Sequence, residues 1–148
     1  MNLFDSFSIS GSALLAERQR SEVIAANMAN AQTTHTEAGG PYRRREVVFE
    51  TRGASSFRLA LANSGQFQGP TPGSVQISGV VDDPSPALMR YEPGHPDANK
   101  EGYVAYPAIN PTSEMVDLMD SVRAYQLNAS AIAATKQMIQ QAIGILKS

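Results

Sequence analysis

Cysteine is absent from this 148-residue chain, so no disulfide and no thiolate metal site can form. No apolar run approaches the roughly 18 residues that a membrane-spanning helix needs. Basic charge is not in excess: 12 Lys and Arg against 14 Asp and Glu give a net charge of -2. That balance provides no electrostatic footprint for nucleic acid. Met1–Ser10 has neither a basic flank nor a continuous apolar stretch, so no cleaved secretory signal is expected. Helix breakers are scarce at both ends. All nine prolines lie between Pro41 and Pro111, and nine of the eleven glycines lie between Gly39 and Gly102. The chain is therefore tripartite, with regular structure favoured at its two ends and turns in its middle. Its length suits one domain with a modest core.

The most regular stretch is the last third. Alternate steps of three and four residues from Met115 land on Leu118, Val122, Tyr125, Ala129, Ile132, Lys136, Ile139, Ile143 and Leu146. Only Lys136 breaks an otherwise apolar or aromatic row. This spacing predicts one narrow stripe along a long helix, the seam of a coiled coil. Asp117, Asp120, Arg123, Gln126, Asn128 and Gln137 are expected to face away. Asn110 suits the cap and Pro111 the first helical position. Glu114, Asp117 and Asp120 lie toward the positive end of the helix dipole, and Lys147 lies at the negative end.

A weaker walk opens the chain: Ile9, Ala13, Ala16, Arg20, Val23, Asn27, Asn30. Its small residues allow a close helix approach. Asp5, Ser6, Ser8 and Ser10 are the candidate caps, and the helix should end near Asn30. Arg20 and Lys136 each sit on a seam, either with their stems over apolar surface or as register-setting polar residues.

Between the helices, His35–Tyr42 reads as a loop around Gly39-Gly40-Pro41. Val47–Phe49, Phe57–Leu61, Val75–Val81 and Ala87–Tyr91 read as short strands, and Asn63–Ser74 as a turn-rich loop. The run Arg43-Arg44-Arg45 is either a clamp for an acidic group or a solvated strand edge balanced by Glu46 and Glu50. Glu92–Tyr106 gathers Glu92, His95, Asp97 and Glu101, the one stretch resembling an acid–base or metal site. It holds a single His among turn-forming prolines, so a shaped loop is the expected role. The fold class expected is α+β. Residues 1–34 and 110–148 would form paired terminal helices, with a small antiparallel β module and its loops over 35–109.

The N-terminal stripe is about three turns shorter than the C-terminal one, so pairing them leaves apolar surface uncovered. Such a surface calls for another subunit. Repetition of the same head-to-tail contact gives an open helical filament or tube. Two readings of other kinds compete with this one. One is a discrete coiled-coil adaptor or chaperone, and the other is an enzyme using His95 with Glu92 or Asp97.

Several separated motifs then converge on one family. Ala26-Asn27-Met28-Ala29-Asn30-Ala31-Gln32-Thr33 resembles the N-terminal A-N-N-L-A-N-A-x-T motif of bacterial flagellar rod and hook proteins, with Met28 in place of Leu. Glu114–Met119 with Arg123–Asn128 resembles the C-terminal counterpart. Gly40–Arg45 through Phe49-Glu50, and Tyr91–Ala98 through Gly102–Val104, are similar to the proximal-rod members. The resemblance thins over Thr51–Ser74. It implies a structural subunit of the periplasm-crossing basal-body rod, a hollow shaft that passes torque from rotor to hook. It further implies export, unfolded and uncleaved, through the flagellar type III apparatus. The implied partners are copies of itself and other rod proteins. No catalytic residue, metal, cofactor or small-molecule substrate is implied. The stripe residues Ile9, Ala13, Ala16, Val23, Asn27, Asn30, Met115, Leu118, Val122, Tyr125, Ile132, Lys136, Ile139, Ile143 and Leu146 are the expected assembly interface.

Overall fold

A computed structural model describes residues 3–52 and 73–147 of the chain. The elements run α1 (Leu3–Ala29), β1 (Arg45–Arg52), β2 (Ser74–Asp82), β3 (Leu88–Tyr91), β4 (Tyr103–Tyr106) and α2 (Pro111–Lys147). Two terminal helices with a small β module between them make the fold α+β, as the distribution of breakers predicts.

The first helix begins earlier than its cap signals suggest. Asp5, Ser6, Ser8 and Ser10 lie inside α1 rather than at its cap. A cap residue is worth only about 1 kcal/mol, and helix propensity is a weak prior that context overrides. Ser12 shows how a mid-helix hydroxyl is satisfied: its Oγ donates to the Ile9 carbonyl at 2.8 Å and accepts the Val75 N–H at 3.1 Å. The other end falls where expected. Asn30 donates from both its backbone N–H and its side-chain Nδ2 to the Ala26 carbonyl, at 3.1 and 2.9 Å. Thr33 then donates its N–H to the Asn30 carbonyl and its hydroxyl to Asn30 Oδ1. The Ala26 and Asn30 carbonyls are thus covered as the chain turns away.

From there the chain makes a short reversal. Thr36 and Gly40 pair through Thr36 N–H and the Gly40 carbonyl, and Tyr42 N–H reaches the Thr33 carbonyl. Gly39 and Gly40 supply the positive φ values of 86° and 77° that this turn requires. Strand β1 extends beyond the expected Val47–Phe49 at both ends. Among the described residues, β1 pairs with β2 and β3 pairs with β4, in two two-stranded sheets. The β3–β4 pair is antiparallel, with Leu88 opposite Tyr106 and Tyr91 opposite Tyr103. The expected strand at Phe57–Leu61 and most of the expected loop at Asn63–Ser74 lie outside the described residues.

Reading Glu92–Tyr106 as one loop is wrong for its last four residues, which form β4. Tyr103-Val104-Ala105-Tyr106 is a strand-forming run, but its partner β3 is separated from it by a turn-rich segment that dominates the local signal. The pairing sets the rings of Tyr91 and Tyr103 edge to face, 5.3 Å between centroids.

The start of α2 is as predicted. Asn110 Oδ1 accepts the Thr112 N–H at 3.0 Å, its carbonyl accepts the Glu114 N–H at 3.1 Å, and Pro111 opens the helix.

The chain divides into two compact units, and both helices contribute to each. One comprises Met1–Arg18, Phe49–Ser78 and Val122–Ser148; the other comprises Gln19–Val48 and Gly79–Ser121. Buried apolar side chains are few among the described residues: Ala16, Ile24, Val104, Pro107 and Ile109. Buried polar ones are nearly as numerous: Asn27, Glu114, Ser121 and Thr135.

Candidate assembly surface and the polar network beneath it

The inward face of α2 is not its most apolar one. Glu114, Ser121 and Thr135 are buried, and Asn128 between them is half-buried. These four residues recur every seventh position and form one column of a heptad. Leu118, Ile132 and Ile139, on the flanking column, are half-buried. Met115, Val122, Ala129, Lys136 and Ile143 form the other half of the predicted stripe, and all are exposed, as is Tyr125. The side chain of Leu146 lies outside the described residues. The helix is thus rotated from the predicted seam toward its polar column, and Asn128, expected to face away, belongs to that column. Lys136 interrupts no internal packing, because its column faces outward. On α1, the predicted positions Ile9, Ala13, Arg20, Val23 and Asn30 are half-buried, and Ala16 and Asn27 are buried. Ile24, which the walk passes over, is buried as well.

A polar network explains how Glu114 can be buried. Its Oε1 accepts the Arg44 Nε–H at 2.6 Å, and its Oε2 accepts from Asn27 Nδ2 at 3.1 Å. Asn27 Nδ2 also donates to the Arg45 carbonyl at 2.9 Å, and Asn27 Oδ1 accepts the Arg45 N–H at 3.0 Å. The Tyr42 hydroxyl completes the set by donating to Asn27 Oδ1 at 3.2 Å. Every donor and acceptor position of this carboxamide is therefore used. The end of α1, the approach to β1 and the first turn of α2 meet at one side chain.

Arg44 is the charge that balances Glu114. It also pairs with Glu46 and lies 3.6 Å from Asp117 and 4.0 Å from Asp83. Burial works against its positive form, but the hydrogen bonds and charges of Glu114 and Glu46 together outweigh burial and hold the guanidinium above its ordinary value. The solvated-edge reading of the Arg run therefore fails for its middle member, which clamps acidic groups of its own chain. Arg43 and Arg45 are exposed, and Arg45 stacks over the Tyr42 ring at 5.7 Å. Burial raises the Tyr42 phenol, Arg45 opposes that rise, and Asp82 and Glu114 add to it.

Glu92–Gly102 connects the paired strands β3 and β4 as a wide hairpin loop held by its own side chains. Tyr106 donates its hydroxyl to Glu92 Oε2 at 2.8 Å, and Arg90 lies over the Tyr106 ring at 4.9 Å. His95 Nδ1 accepts the Asp97 N–H at 3.1 Å, so this nitrogen serves the turn. Asp97 Oδ2 accepts the Thr34 hydroxyl at 2.7 Å. Asn99 Oδ1 accepts the N–H groups of both Glu101 and Tyr103 at 2.9 Å. The side chains of Glu92, His95 and Asp97 are thus engaged in shaping the loop, and Glu101 contributes its backbone N–H. Among the described residues, no group of three or more His, Cys, Asp or Glu could hold a metal ion.

Residues 7–34, ending just beyond the Asn27 and Asn30 contacts, match the family described as flagella basal body rod protein. Residues 100–145, including Glu114 and the seam of α2, match flagellar basal body rod FlgEFG protein C-terminal. The flagellar basal-body rod protein FlgC of Bacillus subtilis (strain 168) is 40% identical, over 99% of this chain and 100% of its own length. The chain belongs to the FlgC family of flagellar basal-body rod proteins. FlgC of Borreliella burgdorferi is 36% identical over 99% of both chains, and FlgC of Salmonella typhimurium is 35% identical over 94% of both. The Asn27 and Glu114 network therefore joins two segments that each carry a rod-family match.

Of the functional groups, the sequence walk passes over Arg44 as the partner of a buried carboxylate and over Glu114, Ser121 and Thr135 as a seam. The heptad recurrence of the last three was the available signal. Polar residues at seven-residue spacing mark a face as clearly as apolar ones do.

Proposed function

We propose that this FlgC-family chain is a structural subunit of the flagellar basal-body rod. It assembles helically with copies of itself and with other rod proteins into the hollow shaft that transmits torque from rotor to hook. Residues 1–34 and 110–148 supply the inner helical layer, and the β module over 35–109 lies outside it. The subunit reaches the rod through the flagellar type III apparatus, without cleavage, and works in the part of the shaft that crosses the periplasm. It acts through packing, with no catalytic step. Family membership supports the rod assignment.

The observation that carries the assembly reading is the exposed apolar surface of α2. Met115, Val122 and Ile143 lie on its outward column, and Val116, Met119, Tyr125, Leu127, Met138 and Ile145 extend the exposed apolar surface to either side. Surface of that kind in a soluble subunit marks an interaction site. The test is Val122→Asp, a charge placed on an already exposed position. Helical content of the free chain is expected to be unchanged by circular dichroism, and incorporation into purified basal bodies is expected to be lost. Normal incorporation of this variant would remove the α2 face from the interface.

A further inference from the structure

The first turns of α2 carry two competing seams. One is apolar, with Met115 and Met119; the other is polar, with Glu114 and Ser121. Burial alone favours the apolar one, since removing a large apolar side chain from water is favourable. Desolvating a carboxylate is strongly unfavourable unless it is well partnered. Yet Glu114 and Ser121 are 1% and 0% exposed, while Met115 and Met119 are 53% and 52% exposed. The rotation adopted is the one that hydrophobic burial disfavours.

The contacts that oppose that preference join side chains far apart in sequence. Both oxygens of Glu114 are held, by Arg44 Nε and Asn27 Nδ2. Asn27 is itself anchored to both backbone groups of Arg45, so it cannot follow Glu114 around the helix. Two turns further along α2, Ser121 Oγ and Ser21 Oγ are 2.8 Å apart, a contact that only small side chains permit. Buried polar residues are known to select register in coiled coils at a cost in stability.

We propose that the Asn27–Arg44–Glu114 lock sets the rotation of α2 against α1, so that the apolar column is withheld from the intrachain pair and kept outward for a neighbouring subunit. This rests on the reading that the outward column is an assembly face. Asn27, Arg44 and Glu114 are positioning residues, acting through the direction in which Met115 and Met119 point.

The absence of native cysteine makes the rotation directly measurable in the full-length chain. The pair Ser21→Cys with Ser121→Cys reports the observed rotation, and Ser21→Cys with Val122→Cys reports the apolar one. With the lock intact, mild oxidation is expected to cross-link the first pair in preference to the second. Adding Arg44→Met and Glu114→Leu, an apolar replacement of the ion pair, is expected to reverse that preference with helical content retained. Incorporation into basal bodies should then be lost. Glu114→Gln, whose single amide oxygen can accept from only one of Arg44 and Asn27, should weaken the original preference without reversing it. An unchanged cross-link preference in the Arg44→Met, Glu114→Leu background would overturn the proposal. So would loss of helical content there, because the pair would then be supporting the fold rather than its rotation. The cross-link ratio does not depend on assembly. Normal incorporation of Met119→Asp with the lock intact would therefore sink the assembly reading while leaving the rotation result standing.

Discussion

Asn27 holds Arg45 by both ends of its backbone: Oδ1 accepts the Arg45 N–H at 3.0 Å, and Nδ2 donates to the Arg45 carbonyl at 2.9 Å. A side chain near the end of α1 thus offers the first residue of β1 the pairing that a neighbouring strand would offer. Helix, strand and the Glu114 carboxylate are coupled through one amide.

Truncating that amide has a calculable consequence. Asn27→Ala leaves the Arg45 N–H and carbonyl, the Tyr42 hydroxyl and Glu114 Oε2 each short of a partner. One such buried loss costs about 1–3 kcal/mol, so a total destabilisation of about 3 kcal/mol or more is expected by denaturant titration. A change below about 1 kcal/mol would mean that water replaces the amide.

Tyr42 gives a pH signature. Its phenol is pushed above the ordinary value of 10.0, first by burial and then by Asp82 and Glu114, against the lowering effect of Arg45. A folded value above the unfolded one means that the contribution is fully present below pH 10 and is lost as pH rises through the native value. Stability is therefore expected to fall on the alkaline side, and Tyr42→Phe should flatten that fall. The same variant should cost about 1 kcal/mol at neutral pH through the lost bond to Asn27.

Gly102 is a position where a side chain does not fit. Its φ is +82°, and an added Cβ would lie 2.8 Å from Tyr91 Cε2 and 3.2 Å from Pro93 Cβ. Gly102→Ala is expected to cost about 2 kcal/mol from backbone strain and crowding. The loss should appear as a lower melting temperature with weakened β3–β4 protection in amide exchange. Gly94→Ala is the control, since open space surrounds that position.

Ile132 tests the flanking column, on which it is half-buried together with Leu118 and Ile139. Ile132→Asp is expected to abolish motility and incorporation and, unlike Val122→Asp, also to lower helical content. An unpaired carboxylate costs free energy even where it is only partly removed from water. Retained motility in this variant would argue strongly against a helical packing role for the column.

His95 separates a structural loop from a reaction centre. Its Nδ1 contact to the Asp97 N–H is one hydrogen bond, worth about 1 kcal/mol. His95→Ala is expected to leave motility intact with a small loss of stability. Abolished function in a normally assembled rod would revive the catalytic reading.

Much of this chain is legible in one dimension. The confinement of proline and glycine to the middle determined two terminal helices, because each breaker removes helical hydrogen bonding or adds backbone entropy wherever it falls. Asn110-Pro111 determined the start of α2, and Asn30 the end of α1, because caps act over a single turn. The rod-family motifs were legible in the same way. Tertiary structure alone decided which face of α2 points inward. Periodicity reports that a stripe exists, and burial energetics then assigns it to the inside. That assignment fails when a carboxylate on the next column finds Arg44 and Asn27, which lie 70 and 87 residues away in sequence. It was likewise tertiary structure that paired β4 with β3 and turned the middle arginine of the run inward. These outcomes depend on partners distant along the chain, so the local pattern could register the residues involved but not the contacts they would make.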